Sequence, residues 1–176
     1  MTISRVYQGA PAEERTQEEQ ECYEKLAELN ISFDRVDHDA ADTMEDCEMI
    51  SRVLDAPICK NLLLTTRNRK NFYLFCMPGD QPFSTKDFSK QVGSSRLSFA
   101  QAEDMTALLH CQPGSASILG LMHDKEHQVT LAVEKSVWEG EWFGCHPCRN
   151  TSSLKMRKED VEKFLHHIGH KVIITE

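Results

Sequence analysis

The 176 residues, 40% of them hydrophobic and with only eight glycines and six prolines, suffice for one domain of ordinary size and exclude a disordered or collagen-like chain. No apolar run approaches the ~18 residues of a membrane span, and the opening MTISRVYQGAPAEER lacks a secretory apolar stretch, so a cytoplasmic protein without membrane contact is expected. The net charge of −8 is lopsided: residues 1–59 hold 15 acids and 5 bases, residues 60–176 hold 13 acids and 15 bases. That excludes tracking nucleic acid with the whole surface but leaves room for one nucleotide end on the C-terminal part.

In chain order, residues 1–15 read as an N-terminal extension to a single domain over 1–176. TQEEQECYEKLAEL (16–29) opens with Thr16 three residues before Glu19, a capping-box spacing, and continues with Cys22, Leu26 and Leu29 on one helical face. ISFDRVDH (31–38) alternates as a half-buried strand. A second helix follows Thr43, paired with Asp46 as its cap, and Pro57 ends it. ICKNLLLTT and NFYLFCMPG then flank the polar RNRKN as the clearest hairpin of the chain. Short helices are predicted over 84–92 and 101–110, the second capped by Ser98 with Gln101. CQPGSASILGL has the punctuation of a tight loop. QVTLAVE alternates as a strand, EWFGCHPCRNTSSLKM turns into another, KEDVEKFLHHIG is an amphipathic helix ending at Gly169, and HKVIIT is a closing strand. Helices and strands interspersed without regular βαβ alternation predict an α+β fold, a mixed central sheet flanked by helices.

Four places carry candidate chemistry. Cys145 and Cys148 have the spacing of a metal or redox pair. A structural zinc needs two more ligands, for which only His123, His127 or Cys111 are on offer, and a redox pair wants a helix directly downstream; two incidental thiols remain the plainer reading. His146 precedes Pro147, which stiffens the turn and lets the ring be aimed, although a histidine satisfied inside the core reads equally well. Lys60 and Asn61 interrupt an apolar strand entrance, so the lysine either snorkels to water or serves an anion. PGSASILG is either an ordinary turn or a run of open N–H groups able to hold an oxyanion.

Together and in order, CKNLLL, FYLFCMPGD, RLSFAQAEDM, PGSASILGL and GCHPCRNTSSLKMRKEDVEKFLHHIGH resemble the prolyl-tRNA editing family, the YbaK/ProX-like trans-editing domains, over about residues 57–172. The resemblance implies the fold of that family and hydrolysis of the ester joining a wrong amino acid, alanine in the ProX-like branch, to the terminal adenosine of the tRNA for proline. It implies the tRNA acceptor end as partner, with prolyl-tRNA synthetase as a second, and neither metal nor cofactor. Lys60 would meet the terminal phosphate or ribose, Asn61 would help position it, and amides around Gly114, Ser115 and Ala116 would face the oxyanion or carbonyl. Ser117 and Ile118 would complete the loop, His146 would orient the ribose hydroxyl or water, and Asn150 and Thr151 belong to the matching HPxxNT turn, with the two thiols as local substitutions. The family loop reads Gly-x-x-x-Pro, and this chain has Ile118 at the proline position. A binding or sensor module of the same fold, without turnover, is the alternative that this departure motivates.

Overall fold

The computed structural model describes residues 1–176 as two sheets with six helices around them. The five-stranded sheet is mixed, in the order β5 (Leu97–Phe99), β3 (Cys59–Thr66), β4 (Phe72–Pro78), β6 (Val129–Glu134), β9 (Val172–Thr175); β4, β6 and β9 run parallel. The second sheet is antiparallel, in the order β1 (Tyr7–Gln8), β2 (Asp34–Asp37), β8 (Ser152–Arg157), β7 (Trp142–Cys145). The expected mixed sheet is therefore the larger of two. Residues 1–15 are knitted into the smaller one through β1 and a bridge from Ile3 to His38.

Why β3 and β4 read as unbroken apolar runs is answered by burial on both faces. Leu63, Leu74 and Cys76 face the main core with α1 (Gln17–Glu28), α4 (Ala102–Leu109), α6 (Lys158–Ile168) and the inner face of β7 and β8. Leu64, Phe75 and Met77 point the other way and are covered by α3 (Thr85–Gln91), whose Phe88 stacks on Phe75 at 4.3 Å between centroids. The outer face of the small sheet is covered by α2 (Met44–Leu54) through Ile50 and Leu54 against Val36.

Thr16 caps α1 by accepting from Glu19 N, but the Glu19 carboxylate turns inward to Tyr23 and Ser152, so only half of the expected box forms. The box of α2 is complete, with Thr43 and Asp46 bonding reciprocally. At α4 the expected pair shifts by three residues: Gln101 is the N-cap, its N–H donates to Asp104, and Ser98 lies in β5. Ser98 is exposed on a strand of three residues, too short for alternation to betray it. The predicted loop 111–121 contains a 3-10 helix, Ile118–His123, started by Ser117 Oγ accepting from Leu119 N. A one-turn helix, α5 (Lys135–Trp138), also follows β6 unannounced. No helix is long and apolar enough to cross a membrane.

Candidate active site

The two sheets meet where β7 passes the entrance to β3. Ile58 and Gly144 form a parallel bridge, and a Cβ on Gly144 would lie 2.3 Å from the Pro57 carbonyl oxygen. Only glycine permits that approach. Two residues beyond the bridge on either strand stand Lys60 and His146, so the backbone brings the lysine strand entrance alongside the HPxxNT turn.

Their side chains diverge from there. Lys60 shares the α3 side of the sheet with Leu62 and Leu64, and its Nζ donates to the Gln81 carbonyl at 3.0 Å. Asn61 points to the core side, donating to Cys59 O at 3.2 Å and accepting from the Cys76 thiol at 2.8 Å. No bond joins either of them to His146.

His146 is 7% exposed. Its Nδ1 lies 2.8 Å from Ser152 O and 3.2 Å from Ser153 Oγ. A carbonyl only accepts, so the ring proton resides on Nδ1 and the lone pair on Nε2. Nε2 has no protein partner, and it is absent from the side-chain atoms sealed from water without a bond. Burial pushes the imidazole pKa down to about 4, against a smaller opposing effect of the Ser152 carbonyl. Near neutral pH the group is an uncharged acceptor with a fixed tautomer.

Behind it stands a histidine that sequence reading passed over. His38 Nδ1 donates to Asp39 O at 2.8 Å, which leaves its Nε2 to accept the Ser153 hydroxyl proton at 2.8 Å. The two rings are 6.0 Å apart, and burial lowers the pKa of His38 as well. The single signal in sequence was its position at the end of a strand in DRVDH. Ser152 is anchored in turn: its hydroxyl donates to Asp37 at 2.8 Å and lies 3.2 Å from Glu19, while Arg15 and Arg35 bind Asp37. Burial would raise the Asp37 pKa, but bonds from Arg15, Arg35 and Ser152 hold it at about 2.

The turn itself is clamped. His38 N–H donates to Thr151 O at 2.9 Å, Ala41 N–H to Asn150 O at 3.1 Å, and Asn150 Nδ2 to Asp42 at 3.3 Å. Gly114, at φ +87°, sits against this turn: a Cβ there would lie 3.6 Å from Asn150 Nδ2. Asn150, Thr151, His146 and the Gly114 loop are thus neighbours.

Within the loop the amides differ. Ser115 N–H is taken by Gln112 O at 2.9 Å, and its hydroxyl bonds the Gln112 main chain. Ser117 is fully buried with its N–H toward the Cys111 thiol. The amides of Gly114 and Ala116 donate to no protein acceptor. Ile118, which replaces the family proline, is wholly buried in the main core.

Cys145 and Cys148 point apart. Cys145 lies by Cys59 and Ser117, where burial pushes its thiol pKa well up; Cys148, at φ +60°, sets its sulfur 3.6 Å from Cys22. Both belong to the core cluster. The residues that do gather like metal ligands are Glu21, His110 and His123, with one donor atom each within 4.8 Å of the others. They lie on α1, at the end of α4 and at the end of the 3-10 helix, outside the cluster around His146. The cavity of about 630 Å³ beside β1 and α1, lined by Tyr23, Phe33 and Trp142, contains none of the expected site residues.

Residues 38–164, from His38 through the HPxxNT turn and into α6, match the family model of the aminoacyl-tRNA editing domain. The prolyl-tRNA editing protein ProX of Acetoanaerobium sticklandii is 29% identical over 146 residues, covering 83% of this chain and 89% of that protein. The prolyl-tRNA synthetase associated domain-containing protein 1 of Bos taurus is 31% identical over 155 residues, covering 86% and 90%. A solved structure described as a candidate trans-editing enzyme for prolyl-tRNA synthetase superposes with a TM-score of 0.69 over 93% of this chain and 99% of that one, at 14% identity, a likeness of fold. With its family model spanning most of the sequence and its relatives matched nearly end to end, the chain belongs to the aminoacyl-tRNA editing family and is an aminoacyl-tRNA deacylase.

Proposed function

We propose that the protein removes alanine from mischarged tRNA for proline by directing water onto the aminoacyl ester, acting in the cytoplasm in trans to prolyl-tRNA synthetase. The observation that carries this reading is the neutral imidazole of His146, with Nε2 open, beside a loop whose Gly114 and Ala116 amides are unspent.

An aminoacyl ester is already activated, so no serine or thiolate nucleophile is needed. Water attacks the carbonyl carbon, the oxyanion forms against the Gly114 and Ala116 amides, and as it collapses the C–O bond to the ribose breaks and the 3′ oxygen takes up the proton given up by the attacking water. His146 Nε2 accepts a hydrogen bond from the attacking water or the neighbouring ribose hydroxyl, aligning it; with a pKa of about 4 it orients rather than stores a proton. An ammonium has three donors and Gln81 uses one, so Lys60 keeps two for a phosphate or ribose oxygen. Asn150 and Thr151 position the same end, while Asn61, on the core side of β3, steadies the strand entrance through Cys59 and Cys76. Alanine selectivity would be steric, since a site shaped for a methyl rejects the proline ring by clash.

Purified protein incubated with tRNA esters of alanine, cysteine, serine and proline should release alanine fastest and spare proline. Release of alanine at the rate of buffer alone, with binding retained, would favour the sensor alternative instead.

A further inference from the structure

Residues 60–100 carry seven bases and two acids, Asp80 and Asp87, while the rest of the chain carries 13 bases and 26 acids. Of those seven bases only Arg69 has a carboxylate partner, Asp104. Lys60, Arg67, Lys70, Lys86, Lys90 and Arg96 have none, and all but the half-buried Lys60 are exposed.

The topology arranges them in a row. β3 starts at the Lys60 end and reaches Thr66 beside Leu97. α3 covers that face of the sheet, entered from Phe83, 5.8 Å from the ring of Phe99, and leaving toward Leu97, whose N–H is bound by Ser89 Oγ. Lys86 and Lys90, one turn apart on α3, share a groove with Arg96. Arg96 also lines a second groove, of about 680 Å³, with Arg67, Arg69 and Phe99. The basic path thus continues from Gln81, which holds Lys60, along α3 to the far end of β3, about 20 Å at ~3.3 Å per strand residue. Phe99 stands in it 60% exposed.

We propose that this ridge is a second RNA contact, seating phosphates of the acceptor arm beyond the terminal nucleotide and offering Phe99 as a stacking platform for an unpaired base. The proposal rests on the deacylase reading of the His146 site and extends it. Unpaired cations along one path suit a phosphate backbone, an exposed ring among them suits a base face, and the net acidic remainder of the chain makes this path the favoured approach for RNA.

The test is the triple variant Lys86→Glu, Lys90→Glu, Arg96→Glu, three exposed positions outside the chemistry. Hydrolysis is compared on full-length alanyl-tRNA and on the minimal ester 3′-alanyl-adenosine, across salt. We expect kcat/KM on the tRNA to fall at least about tenfold and its salt slope to flatten by two to three, at roughly 0.9 per lost phosphate contact, with the minimal ester unaffected. Phe99→Ala should weaken tRNA by a smaller factor without changing the slope. An unchanged rate and slope on tRNA overturns the ridge and leaves it to another acidic partner; equal losses on both substrates overturn it as well. Should the wild type hydrolyse neither substrate, the deacylase reading fails, and titration of a labelled, uncharged acceptor hairpin still decides the ridge: the triple variant must bind it at least about tenfold more weakly, and equal binding refutes it.

Discussion

His146 and Lys60 leave neighbouring points of the backbone and are held in opposite ways. The imidazole is buried, with tautomer and plane fixed by Ser152, Ser153 and, through them, His38 and Asp37. The ammonium hangs on a flexible stem with one bond to a main-chain carbonyl. The contrast teaches a division of labour: geometry is rigid where charge develops and compliant where a phosphate must first be caught. Loss at the rigid end should therefore slow chemistry, and loss at the compliant end should weaken capture.

The largest effect is expected from His146→Ala. Removing the aligned acceptor should lower kcat by about 10³-fold, within the range for a positioned acid–base group, with KM for alanyl-tRNA nearly unchanged. A rise in KM at constant kcat would reverse the assignment of roles.

Next in size is a dependence of stability on pH at the rigid end. The folded pKa of His146, about 4, lies below the ~6.5 of a free histidine. Between these values the unfolded chain binds the extra proton, so the contribution is intact above pH 6.5, erodes as pH falls, and is gone below 4. It amounts to about 3 kcal/mol. His38 adds in the same direction, whereas Asp37, at about 2, loses its share only at lower pH. Denaturant midpoints at pH 7 and 4.5 should differ in the wild type and much less in His146→Gln. Equal pH dependence in both would mean that the ring is not desolvated as described.

How much of this was legible beforehand follows from which interactions are local. The capped helices, the β3–β4 hairpin and the C-terminal amphipathic helix are written in spacings of two to seven residues, and they lie where expected. The second sheet was not legible, because its β2–β8 pairing spans more than a hundred residues and β1 has two residues; β5, with three, was missed at the edge of the larger sheet. In the site, His146 and Gly114 carried local signs, a following proline and a loop of small residues. His38 carried only its place at the end of a strand: its role depends on Ser153 arriving from 115 residues away. The Ser115 amide, expected to be open, is closed by its own turn, a detail that residue type does not encode.

At the compliant end, Lys60→Ala should raise KM for alanyl-tRNA about tenfold, the scale of one charge-assisted contact with a phosphate, and change kcat by less than about threefold. Lys60→Arg should recover part of the affinity, since the stem is free to re-aim but the planar head fits a point contact less well. A kcat loss as deep as that of His146→Ala would place the ammonium in the reaction itself and dissolve the division.

The smallest effect concerns Cys148, which sits in the rigid turn without belonging to its chemistry. Its sulfur packs against Cys22 inside the core; the bond with Cys111 lowers its pKa, but the bond with Cys22 and burial together raise it well above the usual thiol range, so it is neither a thiolate nor an open ligand at neutral pH. Cys148→Ala removes one buried sulfur at φ +60°, a backbone position no harder for alanine than for cysteine. Stability should fall by about 1 kcal/mol, with kcat and KM for alanyl-tRNA within about twofold of wild type. A collapse of activity at preserved stability would give the thiol a role in the reaction and reopen the Cys145–Cys148 pair as chemistry; the wild-type rate, retained in the presence of a strong metal chelator, would leave it as packing that happens to carry sulfur.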